Sequence, residues 1–301
     1  MSGRVLTGID GTNPLGFLAS LGLLRLLAST HPVALRFLDD GSYKAELHGI
    51  AESDIVSLLE TDAAESLKQQ SWWLSYKKHE KSGVKIVADL KAPPAVFKEY
   101  LRSCIGRWVD GDTDAAGYAA AFGTSVAKDG KGNTKPTAFH FTAANQRFLE
   151  GAEMIRAMLS AEWIRQSLFV GHAARPGTNL RWDPAAERNW ALMAANPNDD
   201  GTTVDAPLEW LAFRALPLFP TAPQKNRVFT TGVTGRGEEM KLTWPLWSKP
   251  ARLQAVRSLL WLDWTDVRLV ARYRPHVFAV CTSPIRRSTQ GFGNFAPAAI
   301  A

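Results

Sequence analysis

Cysteine is scarce in this chain: only Cys104 and Cys281 occur among 301 residues, 177 positions apart. That spacing excludes a CxxC pair, a cysteine zinc set and the disulfide framework of small secreted domains, so a reduced, cytoplasmic protein is expected. Long apolar runs are lacking as well. The most hydrophobic stretch, Leu15 to Ala28, has 14 residues and contains Arg25, short of the ~20 that cross a bilayer. The turn Asp10-Gly11-Thr12-Asn13-Pro14 ahead of it does not suit a secretory leader, and no membrane partner is expected.

Local catalytic signatures are missing too. His31, His48, His79, His140, His172 and His276 form no HExxH, HxH or His-Asp pair at metal-ligand spacing. No serine sits in a GxSxG elbow, and neither cysteine has a nucleophile signature. Gly291-Phe292-Gly293-Asn294-Phe295-Ala296 matches GxGxxA, but no helical pattern follows to hold a pyrophosphate. Gly130-Lys131-Gly132 lacks the GKS or GKT of a P-loop. Asp110, Asp112 and Asp114 imitate an EF-hand start, yet Ala115 replaces the required Gly and Ala121 the bidentate Glu. The chain reads as non-catalytic, with no cofactor and no metal.

What is present is globular: 46% hydrophobic and 21% charged residues supply enough apolar surface for a sizeable core. Val5 to Ile9 reads as a strand leading into a helix that Asn13 caps and Pro14 begins. Apolar residues cover nearly its whole circumference, so other elements must enclose it. Val33 to Leu38 and Tyr43 to Leu47 read as a hairpin turning at Asp39-Asp40-Gly41. Helices are expected over 52–69, Ala95 to Ile105, Ala143 to Leu159, Ala161 to Val170, Pro207 to Ala215 and Arg252 to Leu262. Strands are expected at Arg227 to Val233, Met240 to Trp244 and Val277 to Thr282, and residues 110–136 read as loop. Without a regular beta-alpha-beta beat, this predicts an α+β fold of mixed helices and short antiparallel sheets, largely helical around the buried N-terminal helix. A first region over 1–170 and a second over 171–301 are expected; the Pro- and Gly-rich stretches near 171–184 and 196–207 serve equally as loops of one continuous fold.

The formal charge of +6 is unevenly placed. Residues 1–65 hold 4 basic and 9 acidic groups, residues 66–109 hold 9 and 3, and no acid follows Asp266. Such segregation predicts a field that attracts polyanions. Trp72, Trp73, Tyr76, Lys77, Lys78, His79, Lys81 and Lys85 interleave aromatic faces with cations, a pattern suited to bases and phosphates; buried tryptophans beside solvated lysines account for it equally. Lys128, Lys131 and Lys135 lie on an exposed basic loop. Gln146 and Arg147 open a helix after Thr142, a capping candidate. Arg272, Arg274, Arg286, Arg287 and Gln290 offer guanidinium and amide donors in the tail. These are the candidate nucleic-acid-binding residues.

The run Asn13-Pro14-Leu15-Gly16-Phe17-Leu18-Ala19-Ser20-Leu21-Gly22-Leu23-Leu24-Arg25-Leu26-Leu27 resembles the N-terminal signature of large-subunit-like proteins of type I-G (formerly I-U) CRISPR interference complexes. Phe141 to Leu149, Leu180-Arg181-Trp182-Asp183-Pro184, Glu209 to Pro220 and Trp244-Pro245-Leu246-Trp247 resemble further motifs of that group in the same order. The chain is short for a large subunit.

The resemblance implies a subunit of an RNA-guided surveillance complex. Its partners would be guide RNA, target DNA, the backbone and guide-processing subunits and the helicase-nuclease, and its task PAM recognition, unwinding or nuclease recruitment. Base pairing then reads most of the sequence while protein reads shape, charge and a few base edges. Under it Asn133, Gln146, Arg147 or Gln290 would face PAM bases. Two alternatives stand beside it: a metal-dependent nuclease using Asp110, Asp112 and Asp114, and a protein-only assembly factor whose tryptophans anchor partner subunits.

Overall fold

Asn13 begins the helix on which the fold is built. Its side-chain oxygen accepts from the amides of Leu15 (2.8 Å) and Gly16 (3.4 Å), and Pro14 takes the first helical position, where its missing N–H costs nothing. In this computed structural model, which describes residues 3–80, 83–143, 145–186, 202–289 and 291–301, strand β1 (Arg4–Asp10) feeds helix α1 (Pro14–Leu27). Every α1 residue except Leu26 is buried. Strands β2 (Ala34–Phe37) and β3 (Lys44–His48) complete an antiparallel sheet in the order β1-β3-β2.

Helix α2 (Glu52–Ala64) precedes the hairpin of β4 (Ser75–Glu80) and β5 (Gly83–Ala88). Helices α3 (Pro94–Val109) and α4 (Thr113–Phe122) lead to a second hairpin, β6 (Gly123–Lys128) and β7 (Thr134–Pro136). Helices α5 (Phe148–Ala157) and α6 (Ala161–Arg165) follow, and β8 (Arg175–Pro176) pairs with β9 (Thr203–Val204). Helix α7 (Ala206–Ala215) lies along α1, and a third hairpin joins β10 (Thr221–Gln224) to β11 (Arg227–Thr230). The last sheet is antiparallel, ordered β12 (Val233–Thr234), β13 (Lys241–Trp247), β14 (Val277–Arg287), β15 (Gly293–Phe295), with α8 (Leu253–Leu260) and α9 (Val267–Tyr273) between β13 and β14. Strand β16 (Ala299–Ile300) pairs with β14. The expected α+β architecture is what the chain adopts.

One hydrophobic core runs through both 1–170 and 171–301, joining Leu21 and Leu24 to Leu211 and Ala215. Helices α1 and α7 approach closely at Gly22, where a Cβ would lie 1.7 Å from the Leu211 carbonyl oxygen and 3.1 Å from the Ala215 nitrogen. Both obstacles are backbone, so the helices must separate to admit it. Gly22→Ala is expected to lower stability by about 1–3 kcal/mol or more, read from the denaturant midpoint; an unchanged midpoint contradicts this packing.

Trp72, Trp182, Trp210, Trp244 and Trp247 are fully buried, and their indole nitrogens donate to Gln70, the Phe139 carbonyl, Asp62, the Gly11 carbonyl and the Leu35 carbonyl respectively. Satisfied donors make these rings core-builders. Among the described tryptophans only Trp108 and Trp261 are largely exposed, at 55% and 66%.

Several expected boundaries differ: the helix expected over 52–69 ends at Ala64, and the strands expected to end at Trp244 and Thr282 run on to Trp247 and Arg287. Residues 110–136 contain α4 and the β6–β7 hairpin, because Asp112 caps α4, accepting from the Ala115 amide at 3.1 Å. Helix α5 starts at Phe148, five residues later than expected; Thr142 is no cap, since its hydroxyl lies 3.4 Å from His140 Nε2, and the Gln146 amide closes a turn onto the Ala143 carbonyl. Beyond α6 the chain widens into a π-helical turn over Gln166–Val170.

The Leu180 to Pro184 turn is organised by a distant acid. Buried Glu209 accepts from the amides of Leu180 (3.2 Å) and Trp182 (3.4 Å), while Arg181 between them adopts φ +68°. Burial pushes the Glu209 carboxyl up to about 8; Asp183 and Asp205 push the same way, and the two amides oppose them. The unfolded chain releases this proton near 4.5, so the folded chain alone retains it up to about pH 8. Its stabilisation is complete below the unfolded value and is lost at up to ~1.4 kcal/mol per pH unit as pH rises toward 8. Glu209→Gln, with an acceptor but no proton to lose, is expected to flatten the melting temperature between those values; a parallel shift at all pH contradicts this.

Candidate functional site

The β4–β5 hairpin stands at the edge of a cleft. Tyr76 faces Val87 across it and donates to the Lys91 carbonyl at 3.0 Å, while the Ala88 amide donates to Glu150 on α5, also at 3.0 Å. These bonds anchor one face and hold Lys77, Lys78 and His79 along the cleft rim. Opposite them lies the 129–133 turn. One Asp129 oxygen accepts from the amides of Lys131 (2.8 Å) and Asn133 (2.9 Å), and Gly132 at φ +79° lets the chain reverse. Lys131 is thereby displayed at the tip. With Lys91, Thr142, Gln146 and Arg147 these residues enclose a first lobe of about 660 Å³.

A second lobe of about 460 Å³ shares Lys91 and Asp129 with the first. Lys135, Gln224, Arg227, Phe229, Arg236 and Arg287 line it with Thr137, His140 and Thr230. Its far wall is the β10–β11 hairpin, docked by Asn226: the side-chain oxygen accepts from the Lys128 amide (2.9 Å), and the carbonyl from Lys135 Nζ (3.4 Å). The Thr230 hydroxyl accepts from the Ala138 amide at 3.0 Å. Segments about a hundred residues apart thus form one wall.

The floor between the lobes is a buried polar pair. His140 Nε2 lies 3.1 Å from Asp89 Oδ1, which also accepts from the amides of Leu90 (2.9 Å) and Phe148 (3.3 Å). Burial pushes Asp89 up, but His140 and the two amides outweigh it and hold the carboxyl below its ordinary value. Burial also holds His140 below its ordinary value, against the pull of Asp89. The imidazole stacks on Phe148, ring centroids 5.2 Å apart. Half-buried Lys91 is likewise lowered, chiefly by burial, with Asp89 opposing. Arg287 donates to the carbonyls of His140 (3.3 Å) and Ala138 (3.1 Å) and lies over the Phe141 ring, so part of its fork serves the fold.

The lobes gather some of the residues expected from sequence and not others. Lys77, Lys78, Lys131, Asn133, Gln146 and Arg147 meet in the first, Lys135 and Arg287 in the second. Trp73 lines neither; it is half-buried, edge-on to Trp72. Lys85, Lys128 and Arg286 are exposed but outside both, as are Arg272 on α9 and Arg274 at its end. Lys81 and Gln290 lie outside the described residues. Lys91, Arg227, Arg236 and Phe229 were not singled out by sequence because no basic or aromatic run surrounds them; the fold alone brings them to Lys135.

The triplet Asp110, Asp112, Asp114 does not converge. Asp112 caps α4 and pairs with Arg107 at 2.8 Å, Asp114 pairs with Arg25 and Arg214, and Asp110 ends α3. Among the described residues no group of three His, Cys, Asp or Glu side chains could hold a metal ion, and no helix is long and apolar enough to cross a membrane. No protein-family model and no curated protein matches the chain.

Proposed function

We propose that the two-lobed cleft binds nucleic acid, and that the chain is a non-catalytic subunit of a type I RNA-guided surveillance complex, holding guide RNA or target DNA there. The observation that carries the binding reading is the charge of the cleft. Lys77, Lys78, Lys91, Lys131 and Arg147 in one lobe continue into Lys135, Arg227, Arg236 and Arg287 in the other, against Asp89 and Asp129 among the described residues. Amide hydrogen bonds leave the charge of both acids in place, and the lining cations still outnumber them. A continuous cationic track with aromatic and amide groups beside it suits phosphates and bases together. Asn133 and Gln146 offer amides for base edges. Assignment to the complex rests on the motif resemblance, and PAM reading and nuclease recruitment follow from it.

The reading is tested by anisotropy of labelled oligonucleotides titrated with the purified chain between about 50 and 200 mM salt. Binding whose logarithm falls steeply with log salt is expected. Weak, salt-independent binding overturns it. For the complex, co-purification with the backbone subunits and guide RNA is expected when the genes are expressed together, and recovery of the chain alone overturns that part.

A further inference from the structure

Building on that cleft, we propose that its second lobe takes one unstacked base of a single strand, with Phe229 as the stacking platform. Phe229 is 48% exposed where it lines the lobe. Arg227 is two positions earlier on β11, so both side chains project from the same face of the strand, about 7 Å apart along it. A base on the ring and its phosphate on the guanidinium therefore belong to one nucleotide. Lys135 and Arg236 supply further cations around the same lobe.

Size separates single strand from duplex. At about 460 Å³ the lobe falls within the ~300–1,000 Å³ of ordinary small-molecule pockets, room for a nucleotide. A duplex keeps its base faces inside the stack and must flip a base out to present one. The buried Thr230 hydroxyl is engaged by the Ala138 amide and lies 3.4 Å from the Thr137 hydroxyl, so Gln224 is the lining amide that a base edge would meet. The stacking contact itself is sequence-tolerant, because every base has a π face.

The test compares a labelled oligothymidylate, an oligouridylate and a blunt mixed-sequence duplex of equal length. Wild type is expected to bind the single strands more tightly than the duplex. Phe229→Ala is expected to lose about 5- to 150-fold on single strands, the worth of one stacked base, with an unchanged salt slope because no cation is removed. Phe229→Leu keeps apolar volume without a π face and should lose similarly, whereas Phe229→Tyr should bind as wild type. A loss on only one sugar type identifies that strand as the ligand. Wild-type affinity in Phe229→Leu, or tighter binding of the duplex, overturns this inference while leaving the binding function intact. Failure of wild type to bind all three probes overturns both.

Discussion

Lys77→Glu, Lys131→Glu and Lys135→Glu combined are expected to weaken oligonucleotide binding on the order of a thousandfold, from about 1.5 kcal/mol for each charge-assisted hydrogen bond removed. The three come from the β4–β5 hairpin, the 129–133 turn and β7, so the variant samples both lobes. None is buried, and among the described residues the Lys135 ammonium bonds only the Asn226 carbonyl, at 3.4 Å, so folding should survive. The salt slope distinguishes the removal of phosphate-binding cations from a disturbed fold. Each neutralised phosphate contributes ~0.7 for single strands and ~0.9 for duplex, so a decrease near 2 is expected. Reversing Arg272 and Arg274, which line neither lobe, should leave affinity within a fewfold. Should that pair matter more than the lysines, the α9 surface carries the binding instead.

Arg214→Met is expected to cost about 3–5 kcal/mol of folding stability, since it strands the buried Asp62 carboxylate and removes one of the two arginine partners of half-buried Asp114. Arg214 Nη2 lies 3.1 Å from both Asp62 and Asp114, and Nη1 donates to the Tyr118 hydroxyl at 3.0 Å. Burial disfavours its charge, but Tyr118, Asp62 and Asp114 outweigh that and raise the guanidinium further. Arg25 from α1 joins through Asp114 and the Arg214 carbonyl, so the cluster ties α1, α2, α4 and α7 together. Adding Asp62→Asn should restore part of the loss, because the uncompensated charge goes while an acceptor remains for the Trp210 indole, now bonded to Asp62 at 2.7 Å. Chemical denaturation followed by tryptophan fluorescence measures both variants; a single-variant loss under about 1 kcal/mol, typical of a surface pair, contradicts the assignment.

The elements that sequence located correctly have local causes. Asn13 and Pro14 start α1 through bonds spanning two and three residues, and Asp39-Asp40-Gly41 turns the β2–β3 hairpin, Gly41 at φ +84°. Where sequence erred, a local signal competed with another. Asp110 to Asp114 has turn composition, yet Asp112 is a helix cap in the same five letters. Gln146 and Arg147 join the cleft from the approach to α5, not from its first turn. Half of the cleft was legible as basic or amide-bearing segments, Lys77 to Lys78, Lys131 to Lys135 and Gln146 to Arg147. Its other half, Lys91, Arg227, Phe229 and Arg236, has ordinary surroundings in the sequence. The Asp89–His140 floor joins residues 51 apart and has no motif.

By itself the sequence determined the Asn13 cap, the turn of the β2–β3 hairpin, the enclosure of α1 and the segregation of charge, because each depends on neighbours within a few residues or on composition. Only the tertiary structure decided which charges share a surface. Long-range hydrogen bonds such as Asn226 to Lys128 and Thr230 to Ala138 dock the third hairpin beside the basic turn. Arg272 and Arg274, equally basic in sequence, end on another part of the surface because α9 packs against β14. Charge acts through space, and the distances that set its strength are fixed by packing between segments far apart in the chain.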